Sequence, residues 1–168
     1  VFQPKPITAE GIPAALAKAE RYRLLNEPEA AESICLDVLE VEGNNQEALT
    51  TLLLARTDLI ARGIGGAMGD AREALHQLRD PYDVEYYGGI ISERRGHAQL
   101  LSPSPGATYL AYDWFREAMA CYERAMALRP SGNDDAVLRW NSCARVLNAH
   151  PEIAPRSDEE EHTIVLED

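Results

Sequence analysis

From Pro13 to Ala149 apolar residues return at every third or fourth position, segment after segment, and few stretches alternate apolar with polar as a half-buried strand would. That periodicity restricts the chain to an all-α fold. Prolines, glycines and asparagines punctuate it into seven helical segments, about 13–25, 28–41, 46–62, 69–79, 83–101, 107–129 and 134–149. In the first, Ala15, Leu16, Ala19 and Tyr22 share one side, and Pro13 suits a first helical turn. In the second, Ala31, Ile34, Cys35, Val38 and Leu39 do the same, and "EGNN" closes it with a glycine and asparagines able to cap the third helix.

The length of 168 residues suits one domain with its own core. The chain divides into an extended segment over 1–11, a helical domain over 12–149 and an acidic tail over 150–168 expected to be extended or disordered, with "TIVLE" able to dock on a neighbour. The apolar runs are far too short to cross a bilayer. A start without Met reads as processing or trimming, which leaves the compartment open with the cytoplasm as the default. Sixteen Lys and Arg against 28 Asp and Glu give a net charge of −12, which argues against nucleic acid and for a basic or neutral protein partner. Cys35, Cys121 and Cys143 lie far apart in helical patterns and read as small core residues rather than a disulfide framework.

The helical pattern also repeats. Ala118, Tyr122, Ala125 and Pro130 reproduce the spacing of Ala31, Cys35, Val38 and Gly43, and both sets lead through Gly-Asn into a new helix. A third set is Ala71, Leu75 and Leu78. First helices carry a matching pair at Ala19 and Tyr22, Leu53 and Arg56, Gly88 and Ile91, and Asn141 and Ala144. Ala19 to Leu53 is 34 residues and Leu53 to Gly88 is 35. On these residues, with "YERAMALRP" the most specific stretch, the chain resembles the tetratricopeptide repeat family over residues 12–149. The resemblance implies an α-solenoid of three antiparallel helix hairpins and a C-terminal capping helix.

Two departures from that period matter. Ala31 to Ala71 is 40 residues, the surplus falling in "RGIGGAMG", read as a long turn whose glycines end one helix while Asp70 caps the next. Ala71 to Ala118 is 47, and the unbroken stripe from Ala107 to Leu128 places that surplus in the helices themselves. The third hairpin, with "SPSPG" at its tip, is therefore expected to outreach its neighbours by roughly 13 Å. Tyr109, Tyr112 and Phe115 lie near that tip, where regular repeats are too short to cover them; either the termini fold over them or they form a sticky surface.

Little in the sequence asks for catalysis. The Gly-rich loop 63–69 follows a helix rather than a strand, lacks a Gly-Lys-Ser/Thr ending and carries Asp70 where an anion would bind, so a phosphorylated ligand there is the weakest reading. His76, His97, His150 and His162 share no metal-ligand spacing, and no nucleophile elbow occurs. No enzyme activity, metal or cofactor is expected.

What the resemblance implies is a concave groove, lined by the first helix of each pair, that receives a peptide or a partner helix. Carried over position by position, it names Leu16, Glu20, Arg23 and Leu24 in the first unit and Thr50, Thr51, Leu54, Thr57 and Asp58 in the second. The third unit supplies Glu85, Tyr86, Gly89, Ser92 and Glu93, and the last helix Leu138, Arg139 and Ser142. The Lys and Asn that clamp a C-terminal carboxylate in chaperone-binding members are replaced by Leu16, Glu20, Thr51 and Tyr86, which argues against a chaperone-tail receptor. The expected function is a non-enzymatic scaffold binding a protein through this groove or the long hairpin. Self-association through the apolar tip is the second reading.

Overall fold

A computed structural model describes residues 2–156, and among them every regular element is helical. A single 3-10 turn, Ala9–Gly11, leads into α1 (Ile12–Leu24), followed by α2 (Pro28–Val41), α3 (Gln46–Ala61), α4 (Ala67–Leu75), α5 (Pro81–Leu100), α6 (Ala107–Leu128) and α7 (Asp135–Ala149). The acidic run and "TIVLE" lie outside the described residues.

Local chemistry sets most of these boundaries. Pro28 and Pro81 open α2 and α5, where a missing N–H costs nothing. The side chains of Asn45 and Asp80 accept from the N–H groups of Ala48 and Tyr82, at 2.9 and 2.8 Å. The ends of α1 and α3 share one device. Asn26 (φ 62°) and Gly63 (φ 74°) are left-handed, and the amides of Glu27 and Ile64 reach back to the carbonyls of Tyr22 and Leu59 at 2.9 and 3.2 Å.

The glycine turn departs from the sequence reading at one point. Gly66, left-handed at φ 85°, starts α4 at Ala67, two residues earlier than expected. Asp70 therefore lies inside the first turn and makes no side-chain cap, because its own amide already bonds to the Gly66 carbonyl at 3.0 Å. The helix is also shorter than expected, ending at Leu75, although Leu78 stays buried beyond it.

Each helix packs on the next in sequence, and α1 also meets α3 and α3 meets α5. Of the residues that carry the resemblance, Ala19, Ala31, Cys35, Val38, Leu53, Ala71, Leu78, Ile91, Ala118, Tyr122 and Ala125 are buried, Tyr22, Arg56, Leu75, Gly88, Asn141 and Ala144 are partly exposed, and Gly43 and Pro130 are exposed. One core cluster spans α1 to α5, and a second joins α5, α6 and α7. The longest helices are α5 and α6, with 20 and 22 residues against 16 and 9 in α3 and α4. α5 and α6 approach closely through Gly89 and Gly96, which face the rings of Tyr122 and Phe115.

Candidate protein-binding face

The odd-numbered helices carry a chain of polar side chains from one to the next. Arg23 of α1 donates to Asp58 of α3 (Nε to Oδ2, 3.0 Å), and Arg94 of α5 reaches the other oxygen of the same carboxylate at 3.5 Å. On the far side of α5, Arg139 of α7 donates to Glu93 (Nη1 to Oε1, 3.3 Å), whose second oxygen accepts the Tyr122 hydroxyl at 2.6 Å. His97 Nε2 lies 3.9 Å from Glu93 Oε1.

Glu93 is thus a buried charge with partners on two other helices, which is the condition for keeping a carboxylate in an interior. Its surroundings are perturbed accordingly. Burial pushes the Tyr122 phenol far up, and the neighbouring carboxylate adds to the effect, so the hydroxyl stays a donor. Burial opposes the charge on Arg139, but Glu93 and a hydrogen bond with Tyr86 outweigh it and raise the pKa. Burial lowers His97 below its ordinary value, with Glu93 acting against that shift and Arg94 and Arg139 for it.

The expected groove positions separate into two groups. Leu16, Thr57, Ser92 and Glu93 are buried and are corrected from groove lining to interior residues. Leu16 packs in the α1–α2 core, and the Thr57 hydroxyl donates to the Leu54 carbonyl at 2.7 Å. Gly89 is covered by the Tyr122 ring. Glu20, Leu24 and Ser142 are exposed, while Arg23, Thr50, Thr51, Leu54, Asp58, Glu85, Tyr86 and Arg139 are partly exposed. Glu85 is engaged by Arg124 of α6 at 2.8 Å.

Of all these residues, Tyr86, Leu138, Arg139 and Ser142 meet in one place. With Asp135 they line an open depression of about 330 Å³ between α5 and α7. Tyr86 is held there by stacking on Tyr82 (5.7 Å between ring centres, 10° between planes) and by an edge contact with Tyr87 at 5.1 Å. Leu138 is 64% exposed at its edge. Sequence reasoning missed Arg94, His97 and Asp135, and it took Tyr122 as a packing residue only. The available signal was chemical: a phenol in a core position needs an acceptor, and Glu93 is an acid on the first helix of the same hairpin.

Near the tip of the α5–α6 pair the aromatic residues are covered to different degrees, while Leu101 and Leu110 remain exposed. Phe115 is fully buried, with its ring edge-on to His97 at 5.0 Å. Past α7 the chain runs back along the hairpin, where Ile153 is buried in the same cluster and the Arg156 guanidinium lies 5.9 Å from the ring centre of Tyr109. Tyr109 and Tyr112 are partly buried. Residues 150–156 are therefore a strap on the long hairpin.

The cysteines are poor nucleophiles. Burial raises the thiols of Cys35 and Cys143 to about 12, and Cys121 shifts the same way. No helix among the described residues is long and apolar enough to cross a membrane. Compared with protein families, with curated proteins and with solved structures, the chain matches none.

Proposed function

We propose that this protein is a tetratricopeptide-type, non-enzymatic adaptor that binds a peptide or helix of another protein on the face formed by α1, α3, α5 and α7. The observation that carries the reading is the depression of Tyr86, Asp135, Leu138, Arg139 and Ser142. It pairs an exposed aliphatic side chain with an aromatic wall, a guanidinium and a hydroxyl, the mixture that anchors a side chain and fixes a backbone. Support for the repeat architecture comes from the shared turn chemistry at Asn26 and Gly63 and from the packing of α1 on α3 and α3 on α5.

The ion pairs refine the partner's chemistry. Asp58 and Glu93 are already bound by Arg23, Arg94 and Arg139, so they offer little attraction to a basic ligand. The contact is anchored by apolar side chains, and the net charge of −12 acts at long range.

Affinity capture from the source cell with quantitative mass spectrometry tests this. Leu138→Glu loses the partners that wild type recovers, while Leu36→Glu, an exposed position on α2, keeps them. Equal recovery by both variants removes the site from this face.

A further inference from the structure

A second surface lies where the third hairpin outruns the second. α3 stops at Ala61 while α5 continues to Leu100, and the corner between them is an open notch of about 360 Å³. Ala61 and Ala98 wall it, Leu101 rims it, and Arg62, Arg95 and Gln99 supply its polar groups. Leu101 is 80% exposed, and Ile64, next to the notch residue Gly63, is 52% exposed.

The charges in this corner differ from those of the chain as a whole. Arg62 is occupied, giving Nη1 to both oxygens of Glu29 at 2.8 and 2.9 Å and Nη2 to the Asn26 carbonyl. Arg95 makes no hydrogen bond or ion pair with any described residue. Among the described residues no carboxylate lines the notch, and none occurs in the sequence from Arg94 through Tyr112. Within the described residues that leaves a guanidinium without a partner beside exposed aliphatic side chains. The C-terminal ends of α3 and α5 flank the site, but the carbonyls of Leu59, Ile60, Ala98 and Gln99 are already bonded to the turns after each helix.

We propose that this notch docks an acidic segment of a partner protein, with a carboxylate on Arg95 and an aliphatic side chain seated against Ala61, Ala98 and Leu101. A guanidinium fork matches a carboxylate, and the apolar wall supplies area that a free anion would not use. The proposal rests on the protein-binding reading and adds a second contact, selected by charge, to the one at Leu138.

Fluorescence anisotropy on the full chain tests it with two labelled peptides, one repeating Glu-Leu-Ala and one repeating Lys-Leu-Ala. The Glu peptide is expected to bind at least about tenfold tighter. Arg95→Glu loses that binding about tenfold or more, Arg95→Lys, which keeps the charge but not the fork, loses an intermediate amount, and Leu138→Glu leaves it unchanged. Arg95 has no partner among the described residues, and Leu138 is exposed, so thermal melts of these variants are expected to match wild type and exclude misfolding. Equal affinity for both peptides, no binding of either, or indifference to Arg95→Glu overturns the proposal. Loss with Leu138→Glu alone also overturns it while leaving the adaptor reading in place.

Discussion

A Cβ added to Gly89 would lie 2.5 Å from the Tyr122 ring, so the aromatic ring of α6 occupies the space where any other residue of α5 would begin its side chain. Seven residues along each helix, Gly96 and Phe115 repeat the arrangement less tightly, at 3.2 Å. Together these two pairs set how closely the arms of the long hairpin approach.

Gly89→Ala is therefore expected to destabilise the fold by about 2 kcal/mol, because overpacking outweighs the gain in helix propensity of about 1 kcal/mol. Gly96→Ala, where the ring needs to shift only slightly, stays within about 1 kcal/mol of wild type. Urea unfolding of both variants checks the order.

Tyr122→Phe keeps the ring and removes the donor to Glu93 Oε2. A buried carboxylate oxygen without its donor costs about 1–3 kcal/mol. Combining Tyr122→Phe with Glu93→Gln recovers part of the loss, since the charge is then gone, and a double-mutant cycle on the unfolding midpoints reads the coupling.

The strap predicts a local effect. Ile153→Ala removes a buried side chain from the α5–α6–α7 cluster and lowers stability by about 2 kcal/mol. Limited proteolysis is expected to cut residues 150–156 faster in this variant while leaving the α5–α6 hairpin intact at early times.

His97 gives the pH dependence a sign. Its folded pKa is lowered from 6.5 by burial, so below that value the unfolded chain binds the proton more readily than the folded one. The stability tied to neutral His97 is complete above 6.5 and declines as the pH falls toward the lowered folded value. Unfolding midpoints measured across that interval drop more for wild type than for His97→Gln. Identical pH profiles for the two proteins contradict the assignment.

The helices and their order were legible because their punctuation is local: Pro28, Asn45 and Gly63 act on residues within one turn of themselves, although α5 begins at Pro81, two residues before the expected 83, with Asp80 as its cap. The burial of Glu93 was not legible. It depends on Arg139, 46 positions away, and on a phenol donor from α6. The strap was legible only as one of two alternatives for the tip aromatics, since Ile153 sits between prolines without periodicity and its burial depends on where α7 ends. Asp70 looked like a cap because the left-handed turn at Gly66 is a backbone property that the glycine run permits at several positions.

Hydrogen exchange on the complex formed with the recovered partner decides whether the odd-numbered helices form the binding face. Binding there slows exchange in residues 86–94 and 135–142, the stretches of α5 and α7 that carry Tyr86, Glu93 and the α7 residues of the depression, relative to the free protein. Unchanged exchange in both segments, with protection confined to α2, α4 or the strap, contradicts it.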